Sequence, residues 1–310
     1  MSRAIRVVTV AVVLPSIPIG GERHEFTQVH MGLPVRMVLY DSDGARARGA
    51  ARLAFERIAT LERMMSDYRP DSEVRQLEAR AGEPVVVSRE LFAVVDLAVG
   101  ISRATGGAFD PTVAPLVALW REARRRGRLP APDDLARARK LLGCHRLALD
   151  ARRSSIHLEE PGMRLDLGGI AKGYILQEAL ATLRRAGIDR ALVESGGDIV
   201  VGDAPPGHDG WTIDVSAADP DFRQSASRLT NVALSTSGAT AQFVEIDGVR
   251  YSHVVDPRTG LGVTNGLTAH VIAQDAATAD ALATALAVVG HQGLHGLSRQ
   301  FPGVTLALTK

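Results

Sequence analysis

The stretch MRLDLGGIAKGYILQEALATLRRAG, residues 163–187, changes character twice. It opens on an apolar-charged-apolar run, MRLDL, that reads as a strand. It then passes through a loop holding Gly168, Gly169 and Gly173 and continues as a helix to a glycine stop at Gly187. Strand, Gly-rich turn and helix in that order look like a phosphate-binding loop, because glycines permit close backbone approach and successive N–H groups cradle anions. The simplest nucleotide motifs are absent, since the chain has no GxxxxGK[ST] and no GxGxxG at this position. A Gly-Gly pair also serves as a mere tight connection, so the loop alone leaves both readings open.

Working outward, LPVRMVLY (Leu33–Tyr40) reads as a strand, with DSDG supplying turn and capping residues. Ala47, Ala51, Ala54, Ile58, Leu61 and Met65 then recur at helical spacing, and MSDYRPDSE follows as a polar turn. The pattern predicts a helix over Arg89–Thr105 stopped by Gly106 and Gly107, and an exposed connection from Arg121 to Pro132. A short helix is expected between Asp133 and Gly143. HRLALD, SSIHLEE and MRLDL suggest a small antiparallel meander. The second half is strand-rich: RALVES, DIVVGD, WTIDVS, NVALSTS, AQFVEI, YSHVVD and LTAHVIA precede a last helix capped by Asp275 and stopped by Gly290. Strands clustered between a few long helices predict an α+β fold, with antiparallel or mixed sheets covered by helices.

Composition narrows the function classes. The 310 residues carry 36 Lys plus Arg against 35 Asp plus Glu, and no aromatic residue interleaves with the basic run REARRRGR (Arg121–Arg128). That balance argues against a nucleic-acid partner. A single cysteine, Cys144, excludes an internal disulfide. The N-terminal MSRAIRVVTVAVVLPSIPIGG has two arginines, an apolar run and then prolines and small residues, the layout of a secretory leader over residues 1–22. It lacks an A-x-A site and a lipobox cysteine, and a buried first strand would look similar. The rest, 23–310, is expected to be a single domain of two intimately joined lobes, with no other apolar run long enough to span a membrane.

Several residues can carry chemistry. Asp280 and Thr284 lie one helical turn apart, placing a carboxylate and a hydroxyl on one face, while Leu282, Leu286 and Val289 point away. Two hard oxygen donors suit Mg²⁺, although an ordinary polar face with Thr284 bonded back to a carbonyl fits the pair equally. His253, within YSHVVDPRTG, is the histidine in the most polar surroundings and the best placed to accept a proton near neutral pH. STSG (Ser235–Gly238) lacks the GxSxG context of a hydrolase nucleophile, and ESGGDI (Glu194–Ile199) adds a second Gly-Gly turn.

Taken in order, HMGLPVRMVLY, MMSDYRPDSEV, GGAFDPTVAPLVALW, LDLGGIAKGY, ESGGDI, STSG, SHVVDPRTG and ADALATAL closely resemble the ApbE family of FAD:protein FMN transferases, over about Met31 to Gly290. The resemblance implies that family's T-fold-related α+β architecture. It also implies Mg²⁺-dependent transfer of FMN from FAD to a threonine or serine hydroxyl of an acceptor redox protein, with loss of AMP; the leader-like N-terminus sets the expected location outside the cytoplasm or in a periplasm. Asp280, Thr284 and the backbone carbonyl of Ala171 match the family's metal-binding positions. Met31, Tyr68, Ala108, Phe109, Asp110, Gly168, Tyr174 and Val255 match its FAD-contacting positions, and His253 a motif histidine that assists deprotonation of the acceptor hydroxyl. Ala283 stands where some members carry a further oxygen ligand, and Glu78 and Glu194 stand where the family often has Asn. The same site would serve a FAD pyrophosphatase releasing FMN and AMP, or a non-catalytic flavin-binding maturation factor. Retention of both Asp280 and Thr284 argues against the last.

Overall fold

The computed structural model describes residues 21–215, 220–238 and 243–310. One seven-stranded sheet organises them: β1 (Glu22–His30), β2 (Leu33–Asp41), β6 (Ala191–Ser195), β7 (Asp198–Val201), β8 (Ala233–Gly238), β11 (Thr268–Ala273) and β12 (Thr305–Thr309). They lie side by side in chain order, and every neighbouring pair is antiparallel.

Strand alternation explains why both faces are covered. Met37, Leu39, Val193 and Val200 point to one core, while Val38, Leu192, Ile199 and Val201 point to the other. The first core is closed by α1 (Gly44–Met65), α6 (Ala171–Arg185) and α8 (Ala276–Gln300). The second is smaller and is closed by Trp211, Ile213 and Phe222, the last on α7 (Pro220–Ala226). Asp43 caps α1 by accepting from the Ala45 and Arg46 amides, and Asp275 caps α8 through Thr278 N, as its sequence predicts.

Beyond the sheet lie α2 (Glu73–Ala79), α3 (Arg89–Ala104), α4 (Ala114–Arg126) and α5 (Pro132–Arg139). A three-stranded antiparallel sheet places β5 (Ser155–Leu158) between β3 (Pro84–Val86) and β4 (Leu147–Asp150). A two-stranded hairpin, β9 (Phe243–Ile246) with β10 (Val249–Ser252), packs with α4 and α5 around Leu116, Trp120, Ile246 and Val255.

The expected α+β class holds, and several local expectations are corrected. MRLDL is extended but pairs with no strand; Glu78 anchors it instead, accepting from Leu165 N at 2.9 Å and from Arg164 Nε at 3.3 Å. The third strand of the small sheet is β3. The described part of WTIDVS, residues 211–215, contributes a single bridge, Trp211 to Leu229, and Ser216 lies outside the described residues. Arg121–Arg126 belongs to α4 and is not a connection, and α5 begins at Pro132 with Gly143 outside it, opening a 3₁₀ turn. The helical geometry of α8 breaks at Gly290 (φ 58°, ψ −154°), as the sequence predicts, and a second helical segment follows it directly to Gln300. The polar turn after Met65 holds the unexpected α2, and β1 and β12 at the two sheet edges are also additions. Residues 1–20 of the predicted leader lie outside the described residues, and Glu22 already opens β1. Among the described residues no helix is long and apolar enough to cross a membrane.

A close backbone crossing lies between α6 and α8, where a Cβ on Gly173 would overlap the Ala276 carbonyl. Gly100, inside α3, has open space around the same position. Gly173→Ala is therefore expected to destabilise the protein by about 1–3 kcal/mol or more, and Gly100→Ala to stabilise it by about 0.5–1 kcal/mol. Urea denaturation of both variants checks the pair of opposite signs.

Candidate functional site

The Gly-rich loop and α8 meet at the crossing that Gly173 permits. Asp280, 5% exposed, accepts a hydrogen bond at Oδ2 from Gly173 N at 3.1 Å. One turn on, Thr284 faces Gly169 so closely that a Cβ on that glycine would lie 2.8 Å from Thr284 Oγ1 and 3.4 Å from the Phe109 ring. Asp280, Thr284, Gly169 and Phe109 therefore converge, with Ala171 and Gly173 flanking Lys172 in the first turn of α6. Thr284 Oγ1 makes no hydrogen bond among the described residues, so the back-bond to a carbonyl is not made. A buried carboxylate with one backbone donor and a free hydroxyl on the same helix face fit a hard divalent cation. No cluster of three His, Cys, Asp or Glu side chains is found among the described residues, so such an ion would also need backbone oxygens, water or substrate.

The electrostatics follow from burial. Desolvation pushes the Asp280 carboxyl up, the negative charge of Asp198 adds to it, and Lys172 and the Gly173 amide pull back; the result lies at about 8. Burial pulls the Lys172 ammonium down, but Asp198 and then Asp280 outweigh it and leave it raised. Asp166 is held above the usual carboxylate range by burial, which the Gly168 amide, donating to Asp166 Oδ1 at 2.8 Å, only partly offsets.

The other predicted positions are in different states. Ala108 and Phe109 are buried. Asp110 Oδ1 is engaged in its own turn, accepting from Thr112 N at 2.8 Å and Thr112 Oγ1 at 2.6 Å, with the Cys144 thiol at 3.5 Å. Burial, then Asp110, pushes that thiol up to about 12, so Cys144 is a packed side chain and not a nucleophile. Met31 stands at the β1–β2 tip with φ 53°, its amide donating to Glu62 Oε1 at 2.8 Å. Tyr174, half-buried on α6, has its phenol raised to about 12 by burial and then Glu178. Val255 and His253 belong to the segment after β10, anchored where Trp120 Nε1 donates to Ser252 O at 3.1 Å; Val255 is buried and His253 exposed.

Tyr68 is 78% exposed, with the Arg121 guanidinium 4.7 Å from its ring centroid. Arg121 also pairs with Asp67 at 2.7 Å and lies 3.9 Å from Asp166, so it ties the Tyr68 turn to the start of the Gly-rich loop. The sequence hid this role inside a basic run that resembles a solvated helix end. Asp198 was missed as well, although an acid between Gly197 and an all-apolar strand was a usable signal. The acids at the two variant positions are partnered: Glu78 with Arg164, Arg75 and Leu165 N, and Glu194 with Arg36 Nε at 2.6 Å.

A sequence profile of the ApbE family matches residues 31–308. The chain belongs to the ApbE family. Among curated relatives, the FAD:protein FMN transferase of Treponema pallidum is 34% identical over 280 residues, 84% of this chain and 77% of that protein. The protein of the same name from Klebsiella pneumoniae is 32% identical over 272 residues, 86% of this chain and 83% of its own. Among solved structures, the ApbE protein of Thermotoga maritima superposes with a TM-score of 0.80 at 30% identity, covering 92% of this chain and 93% of that one. The apo flavinyl transferase ApbE of Pseudomonas stutzeri gives 0.80 at 26% identity, covering 95% and 97%. Membership places this chain among transferases with the ApbE α+β architecture.

The raised Asp280 carboxyl makes a signed prediction for the metal-free protein. Between the ordinary aspartate range and about 8 the folded state holds a proton that the unfolded state has released. Asp280 therefore lowers stability as pH rises through that window. Thermal melts in chelator should show Asp280→Asn gaining stability over the wild type at pH 8 and little at pH 4.

Proposed function

We propose that this ApbE-family protein transfers FMN from FAD to a threonine or serine hydroxyl of an acceptor redox protein, using Mg²⁺ and acting outside the cytoplasm. The observation that carries the reading is the convergence of Asp280 and the unpartnered Thr284 hydroxyl on the Gly-rich loop and Phe109. The curated relatives named FAD:protein FMN transferase support the flavin-transfer part of the reading.

In the reaction the acceptor oxygen bonds to the FMN phosphorus, the pyrophosphate P–O bond breaks, and AMP leaves with the bridging oxygen. The hydroxyl proton passes to a base. Asp280, Thr284 and the Ala171 carbonyl would hold Mg²⁺, which when bound supplies neutralisation of charge on the pyrophosphate oxygens. Phe109, Gly168, Met31 and Tyr68 supply surfaces for the dinucleotide; Tyr68, resting on Arg121, offers an open aromatic face for a planar ring. The exposed His253 is the proton acceptor that a hydroxyl on another protein can reach. The leader layout of residues 1–22 supports the extracytoplasmic assignment.

Incubation with FAD, Mg²⁺ and an acceptor redox domain is expected to give a covalently fluorescent acceptor on a denaturing gel and one AMP per flavin attached. Asp280→Ala should lower labelling by about 10²-fold or more. Free FMN without labelled acceptor would make the protein a pyrophosphatase instead, and full labelling by Asp280→Ala would remove the metal assignment.

A further inference from the structure

Asp198 is a buried charge with no part in the proposed metal pair. It opens β7 directly after the Gly196–Gly197 turn, is 2% exposed, and heads a strand whose other residues are all buried. A carboxylate in such a place costs several kcal/mol unless it is paired and hydrogen-bonded. Both conditions are met from outside its own strand. Oδ1 accepts from Ser235 Oγ at 2.6 Å and from Thr236 N at 3.3 Å, both on β8. Oδ2 has no hydrogen bond of good angle among the described residues, but it lies 3.0 Å from Lys172 Nζ, so the ammonium is its ion-pair partner.

The Asp198 side chain is 3% exposed, whereas that of Lys172 is 22% exposed, so the anchor lies beneath and the cation lies at the accessible boundary. Lys172 also sits between Ala171 and Gly173, and the Gly173 amide holds Asp280. Held by Asp198, the ammonium is near enough for its charge to act on Asp280, the carboxylate on which the proposed metal site depends. A free lysine carries a flexible four-carbon stem and loses that freedom when it meets a phosphate; an anchored one has already lost it.

We infer that Asp198 is a positioning residue that holds the Lys172 ammonium beside Asp280 as a second fixed positive charge for the substrate pyrophosphate. The inference rests on the flavin-transfer reading. Preorganised charge aimed at a developing anion acts mainly on turnover, and Ser235 keeps the anchor itself in place.

The test compares Asp198→Asn, Lys172→Met and their double variant in the full-length protein, with two readouts. The first is Mn²⁺ affinity without FAD, followed by electron paramagnetic resonance. Removing the Lys172 charge should tighten Mn²⁺ binding severalfold, and removing the Asp198 charge should weaken it severalfold. The second is acceptor labelling: each single variant should lose about tenfold or more in kcat with a smaller change in KM for FAD, and the double should be no worse than Lys172→Met alone. Lys172→Arg, which keeps the charge, should retain more turnover than Lys172→Met, and Ser235→Ala should lose part of kcat without moving Mn²⁺ affinity. Mn²⁺ affinities shifting the same way in both single variants, turnover of Lys172→Met within twofold of the wild type, or independent multiplication of the two losses would each overturn the inference. If the wild type labels no acceptor, the flavin-transfer reading is what fails, and opposite or equal Mn²⁺ shifts still decide the placement of the charge.

Discussion

The crossing of α6 over α8 is the constraint on which the site depends. Gly173 lacks the Cβ that would meet the Ala276 carbonyl, so the two helices approach backbone to backbone. At that distance the Gly173 amide reaches Asp280, and the Gly-rich loop one turn earlier lies against Thr284 and Phe109. The same approach buries Asp280 beside Asp198 and Lys172, giving the site its unusual charge balance. Both helices rest on one face of the sheet, so the geometry is held by strand packing and not by loops.

The other predicted positions are held by separate tertiary contacts. The β1–β2 tip carries Met31, held by Glu62, and α4 sends Arg121 to hold Tyr68. The β9–β10 hairpin, docked on α4 through Trp120, leads into the segment bearing His253.

Much of the architecture was legible because its signals are local. The α1 stripe from Ala47 to Met65, the Asp275 cap and the central strands β6, β7, β8 and β11 each declare themselves by periodicity or capping. Failures came where a tertiary partner overrides the local pattern. MRLDL alternates like a strand, but Glu78 takes the Leu165 amide. The break at Gly290 was read correctly, but the second helical segment that follows it carried no signal of its own. Edge strands β1 and β12 are weak alternators: β1 is held by its hairpin to β2, and β12 pairs with β11 across the whole of α8.

For the site, the Asp280 and Thr284 spacing and the Gly-rich loop were visible as separate equivocal signals, and the ordered motifs joined them. Arg121 and Asp198 stayed hidden because their roles consist of contacts across long sequence separations: Asp198 to Lys172 and Ser235, Arg121 to Asp67 and Asp166. Asp110 shows the opposite case, a motif carboxylate whose hydrogen bonds serve its own turn. The central claim is that a hard cation binds where α6 and α8 cross. Diffraction from crystals grown with Mn²⁺, recorded at the manganese absorption edge, tests it most directly. The account predicts an anomalous peak between the Asp280 carboxylate and the Thr284 hydroxyl; bound Mn²⁺ found only elsewhere, with that position empty, would contradict it.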